Sequence, residues 1–210
     1  MLEFQRNLDF ISEWLRNNQP NSYDALQPGL DRSEIDYFLE PVPFLLPEEF
    51  YQLYQWRDGT LFLDDTSRLF PGYRFNSIRD ALDLRLEISE IVEDWLLDKM
   101  RNEDGFWIEH SGVYNNYFLP IFSLDHEDHI CILGKENKDE ISPILSVFFE
   151  GGVHIKYDNL NSMMKTIAVC YEIGAYYNFE HPDGHKELYY DENLVEEIRA
   201  QYNPGSDFVS

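Results

Sequence analysis

Positive charge is scarce in this chain. Sixteen Lys and Arg stand against 40 Asp and Glu over 210 residues, a formal net charge of −24. A surface of that sign repels the phosphates of nucleic acid and the heads of anionic lipids. It attracts a basic protein and speeds encounter with it at low salt. Cysteine is scarce too: Cys131 and Cys170 are the only two. That is too few for a disulfide framework, and neither sits in a CxxC or Cys/His spacing; reduced core thiols fit both, with a single long-range bridge as the alternative. No apolar run nears the roughly 20 residues that span a bilayer. The first residues, MLEFQRNLDF, carry neither the basic nor the apolar region of a signal peptide. These absences predict a cytoplasmic protein with no membrane role. There is no P-loop, GxGxxG or GxSxG, no internal repeat and no low-complexity tract.

What is present suits a sizeable core. The chain is 43% hydrophobic, with 14 Tyr and 15 Phe, and disordered chains are poor in aromatics. Apolar residues at helical spacing predict helices over about 3–17 (Phe4, Leu8, Ile11, Trp14, Leu15), from Asp31 through Ile35 and Phe38, and over 47–57. Residues 22–30 read as a loop around Pro28-Gly29. In FLLPEEFYQLYQWRDG (44–59), Pro47 suits the first turn of a helix. Glu48 and Glu49 favour its positive end, and Asp58-Gly59 stops it. Ser77 caps a longer helix reaching about Met100, and Leu61-Phe62-Leu63 reads as a short strand.

The period then changes. Residues 117–122 and 129–133 form one expected hairpin, and 144–149 and 153–157 a second around Glu150-Gly151-Gly152. Asn159 or Asn161 caps the next helix. A linker with Asn178, His181, Pro182, Asp183 and Gly184 leads to a last helix carrying Leu194, Val195, Ile198 and Tyr202. Helices, a sheet and more helices predict an α+β fold: a central antiparallel or mixed sheet of about four to six strands, flanked by N-terminal and C-terminal helices.

Few residues suggest chemistry. Asp125-His126-Glu127-Asp128-His129 gathers potential metal ligands, but neighbours in a tight turn diverge and no HExxH or calcium-loop pattern is present. Asp64-Asp65 are paired carboxylates without an identifiable partner, and His181 and His185 flank a turn. No metal or cofactor is expected. The aromatics Trp107, Tyr114, Tyr117 and Tyr176-Tyr177 suit either sheet packing or a partner surface, since Tyr and Trp dominate interface hot spots.

The order of elements resembles the SUKH superfamily, and within it the Smi/Knr-type, cell-wall-assembly-regulator-like domain. Leu46-Pro47, Phe50, Leu53-Tyr54 and Gly59 match the Leu-Pro, aromatic-helix and Asn-Gly signature, with Asp58 in place of the usual Asn. The segments Leu69-Phe70-Pro71-Gly72 with Ser77-Ile78-Arg79-Asp80-Ala81, and Phe118-Leu119-Pro120-Ile121-Phe122 with Ile130-Cys131-Ile132-Leu133, resemble later parts of the series. The acidic turn between the last two lacks the family's usual Gly. The resemblance covers about residues 30–172 and divides the chain into an N-terminal helical extension (1–29), the domain, and an acidic C-terminal helical extension (173–210). It implies a protein-binding module that is not an enzyme, in many bacterial members an immunity protein occluding a toxin domain, often a nuclease. The alternatives are a housekeeping regulatory scaffold of the same fold and, from another class, a metal-dependent hydrolase using Asp64, Asp65 or the 125–129 turn. The expected partner is a basic toxin domain or regulatory client. The nearest partner-binding candidates are Trp56, Arg57 and Asp58 at the exposed end of the signature helix, with Asp64, Asp65, Trp107, Tyr114 and Tyr117. Leu46, Pro47, Phe50, Leu53, Tyr54, Gly59 and Pro120 are expected to be structural.

Overall fold

A computed structural model of the chain describes residues 2–61, 67–101, 117–124, 128–137, 142–148, 152–182, 184 and 186–206. In chain order the helices among them are α1 (Leu2–Asn18), α2 (Pro20–Ala25), α3 (Arg32–Leu39), α4 (Glu48–Trp56), α5 (Ile78–Arg101), α6 (Leu160–Glu172) and α7 (Glu192–Tyr202). The strands are β1 (Leu26–Pro28), β2 (Arg57–Thr60), β3 (Arg74–Phe75), β4 (Phe118–Leu124), β5 (Asp128–Leu133), β6 (Ile144–Phe148), β7 (Gly152–Tyr157), β8 (Tyr176–Glu180) and β9 (Lys186–Tyr190). The class is α+β. Its centre is a five-stranded antiparallel sheet in the order β3-β4-β5-β6-β7, with helices before and after it.

Local chemistry sets the helix starts. Asp31 accepts the Glu34 N–H while Glu34 reaches back to the Asp31 N–H, a reciprocal capping box. Ser77 accepts the Asp80 N–H at 3.1 Å, and Asn159 rather than Asn161 caps α6. Pro47 takes the cap position of α4 and has no N–H to leave unpaired.

Pairing chemistry sets the sheet. Successive side chains on a strand face opposite sides. One set, including Ile121, Ile130, Ile132 and Tyr157, joins α1, α4 and α6 in the larger core. The other, including Phe118, Cys131, Leu145 and Val153, meets Ile88 of α5. Pro120 lies in the interior strand β4, where a missing N–H normally excludes proline. It is accommodated because the register with β5 shifts between Pro120 and Phe122, and because β3 pairs only with Phe122 and Ser123. Beyond β3, the Asn76 side chain donates to the Pro120 carbonyl at 2.9 Å.

Three expectations are corrected. Residues 22–30 are not simply a loop: Pro20 opens α2, and β1 pairs with β2, Leu26 opposite Thr60. That pairing is with residues some thirty positions on, so no local pattern announces it. Asp58-Gly59 does not close α4 as a left-handed cap. The helix ends at Trp56, Arg57 is extended, and Gly59 (φ +80°) lies inside β2. A Cβ on Gly59 would stand 2.3 Å from the Ser77 backbone nitrogen, so glycine is required by close approach to the start of α5. The expected linker over 178–184 is mostly the hairpin β8–β9, turning through Gly184 at φ +83°. The remainder of the strand expected at 61–63 and the turn at Glu150-Gly151 lie outside the described residues.

The segments either side of residues 30–172 share its core. Trp14 of α1 lies 4.2 Å, centroid to centroid, from Tyr171 of α6. Ala175, Tyr176 and Ile198 are buried in the same cluster.

Candidate interaction surface and adjoining cleft

The β8–β9 hairpin is built of alternating residues, and its two faces differ. Tyr176 is buried, Leu188 packs on the core, and Asn178 exchanges hydrogen bonds with the end of α1: its Nδ2 donates to the Asn18 carbonyl at 2.8 Å, and its Oδ1 accepts from Gln19 at 2.6 Å. The opposite face therefore carries Tyr177 and Phe179 of β8 and Tyr189 of β9, which are 40%, 44% and 40% exposed. Tyr177 and Tyr189 are direct cross-strand partners, and Phe179 lies 5.2 Å from Tyr189. The His181 ring stands edge-on to Phe179 at 4.9 Å, with Nε2 3.1 Å from the Glu187 carboxylate. Three large rings are thus clustered in water on a short two-stranded element anchored from behind. The hairpin and the first turn of α7 also carry Glu180, Glu187, Asp191 and Glu192 against Lys186, itself paired with Glu180 at 3.9 Å.

Behind the hairpin, β9 and α7 meet the 70–73 turn and the ends of β5 and β7. The cleft between them is about 310 Å³. Its floor is a polar chain. Ser146 donates to Asp128 Oδ1 at 2.9 Å, the Tyr73 hydroxyl donates to Asp128 Oδ2, and Lys156 Nζ donates to the Tyr73 oxygen at 3.1 Å. Burial pushes the Tyr73 phenol well up, and Asp128 beside it adds to the effect, so Tyr73 keeps its proton. Burial also lowers the Lys156 ammonium; Asp128 and Glu196 oppose this and Arg199 reinforces it. Arg199 is buried, bound twice by the Glu196 carboxylate, and donates to the Ser206 hydroxyl at 3.1 Å.

The residues singled out in the sequence disperse. Trp56 and Arg57 are half-buried and line an open groove of about 460 Å³ with Ser12 and Arg16 of α1. Asp58 is not free at an exposed helix end. It is half-buried in β2 and accepts the Ile78 N–H at 2.8 Å, bracing the first turn of α5; burial raises its carboxyl. Tyr117 is half-buried against Phe44, 5.4 Å away. Asp64, Asp65, Trp107, Tyr114, Asp125, His126, Glu127 and His185 lie outside the described residues. Asp128 and His129 belong to β5, and as strand neighbours they face opposite sides: Asp128 the cleft, His129 the buried Ser123 hydroxyl at 3.0 Å. Among the described residues, no three His, Cys, Asp or Glu are grouped to hold a metal ion. Phe50, Leu53 and Tyr54 are fully buried, Pro120 is buried, and Leu46 and Pro47 are half-buried.

Sequence reasoning missed the exposed side of the hairpin. A signal was present: the alternation in Tyr176-Tyr177-Asn178-Phe179 and Leu188-Tyr189-Tyr190, with a Pro-Asp-Gly turn between. It also missed Lys156, Tyr73 and Arg199, whose contacts join residues 83 and 43 positions apart. In comparison with known proteins, no family model matches the chain and no curated protein matches it significantly.

Proposed function

We propose that this chain is a non-catalytic protein-binding module of SUKH, Smi/Knr-like type, immunity-like in action, which neutralises a basic toxin domain by covering it. The observation that carries the reading is the aromatic face of the β8–β9 hairpin. Monomeric proteins seldom leave Tyr177, Phe179 and Tyr189 side by side in water without a use, and such rings are the usual anchors of interfaces. The acidic groups on the same element and the net charge of −24 favour a basic partner and repel a second copy of this chain. A nuclease domain, basic to hold its own substrate, suits that charge.

Coexpression with the toxin encoded beside its gene tests this. The wild-type chain restores growth. Phe179→Ala with Tyr189→Ala, which leaves the core untouched, loses rescue and weakens binding by at least about 30-fold, the size of a 2 kcal/mol hot spot. Rescue and binding unchanged in that variant would remove the hairpin from the interface. No rescue and no binding by any neighbouring toxin would refute the immunity role itself.

A further inference from the structure

The cleft behind the hairpin has a use that partner binding does not need. We propose that Lys156 is a nucleophilic amine that captures a small uncharged aldehyde as a reversible imine. An ammonium has three donors. Among the described residues Lys156 makes one hydrogen bond, to the Tyr73 oxygen, lies 4.9 Å from the centroid of the Tyr73 ring, and makes no salt bridge. Of the two carboxylates whose charge acts on it, Asp128 is already accepting from Tyr73 and Ser146, and Glu196 is bound by Arg199. The lysine is therefore placed in a cleft without the direct carboxylate that would hold it as a cation. Desolvation, together with a neighbouring guanidinium, is a recognised way of activating an amine. The first is here: Lys156 is half-buried on the floor of the cleft, and burial is the largest influence on its ammonium, whereas the charge of Arg199 is offset by the Glu196 carboxylate bound to it.

The ligand class follows from the walls. Phe70, Tyr73, Tyr176 and Tyr190 give the cleft aromatic sides, and its volume is at the lower end for small-molecule sites. Asp128, Glu192 and Glu196 outnumber Lys156 and Arg199 among its charged residues, so an anionic carbonyl compound is disfavoured. In the reaction the neutral amine nitrogen attacks the carbonyl carbon and one C–N bond forms. The C–O bond then breaks, and the oxygen leaves as water with the two nitrogen protons. No oxidant or reductant takes part.

The test is reductive trapping on the full chain. Benzaldehyde and cyanoborohydride are added at neutral pH for short times. The hydride converts any imine to a benzyl-lysine, and peptide mass mapping ranks the six lysines. Lys156 is expected to react ahead of every other lysine by about tenfold, the step that 1.4 kcal/mol in a barrier represents. Glyoxylate, an anionic aldehyde, is expected to lose that preference. In Lys156→Arg, with its fold checked by circular dichroism, the fast phase disappears. If that variant does not fold, the wild-type ranking decides alone. Benzylation of Lys156 no faster than of the other lysines overturns the proposal. Equal preference with glyoxylate overturns the assignment to uncharged ligands.

Discussion

Asn203, just past α7, is fully buried and is the sharpest place to probe how the C-terminal elements are held. Its Oδ1 accepts the Asp158 N–H at 3.1 Å, and its Nδ2 donates to Thr166 Oγ1 and to the Arg199 carbonyl, each at 3.0 Å. One side chain thus ties the end of β7, the middle of α6 and the last turn of α7. Asn203→Ala removes three hydrogen bonds, each worth about 1 kcal/mol net. Two of the abandoned groups keep other partners. The Arg199 carbonyl still accepts the Asn203 N–H at 2.9 Å, and Thr166 still donates to the Ser162 carbonyl at 2.9 Å. Only the Asp158 N–H is left without its partner. The loss is therefore about 2–4 kcal/mol rather than the larger sum expected were all three orphaned. Urea unfolding followed by tryptophan fluorescence reads it as a lower midpoint at unchanged slope. A double-mutant cycle with Thr166→Val isolates the Thr166 bond, with coupling of about 0.5–1.5 kcal/mol. A loss below about 0.5 kcal/mol for Asn203→Ala would refute the claim that this side chain clamps the C-terminal elements to the core.

Other outcomes follow from the same contacts. Leu53→Ala costs about 2–5 kcal/mol in the same assay, because the site is fully enclosed; full stability would mean that α4 is not packed as described. Gly59→Ala costs at least about 1–3 kcal/mol from its positive φ and the approach of Ser77, whereas Gly184→Ala lacks the steric part; equal losses would contradict the close approach. Burial pushes the Cys170 thiol up to about 12 and Cys131 well above its ordinary value, so Ellman's reagent at mildly alkaline pH reads no fast thiol until the chain is denatured, when two appear. Burial raises the Asp58 carboxyl above its ordinary 3.8, so the folded state favours its protonated form. Stability relative to Asp58→Asn is therefore greatest below 3.8 and falls as pH rises through the raised value; a difference independent of pH would refute the shift.

Much of the architecture was legible because its signals are local. Asp31, Ser77 and Asn159 announced helix starts, and the apolar runs of β4 to β7 announced a meander whose neighbours in sequence are neighbours in space. Where the reading failed, a distant partner decided the outcome. Leu26 is extended because Thr60 lies opposite. Asp58 looked like a helix terminator, but its carboxylate is taken by Ile78, twenty residues on. The hairpin was obscured for another reason: both its faces carry large aromatics, so apolarity alone does not distinguish the buried Tyr176 from the exposed Tyr177. The cleft was invisible for want of any motif, since Tyr73, Asp128, Lys156 and Arg199 come from four separate segments.

The contact between α1 and α6 has a consequence for synthesis. The apolar stripe of α1, with Phe4, Leu8, Ile11 and Leu15, leaves the ribosome well before its seat, because it packs on a helix some 150 residues later. At about 5–20 residues per second that interval is roughly 8–30 s. During it the meander can close on local pairings while α1 still lacks its seat. The nascent chain thus presents a sticky helix until α6 has emerged, and a chaperone that recognises amphipathic helices would meet it in that interval.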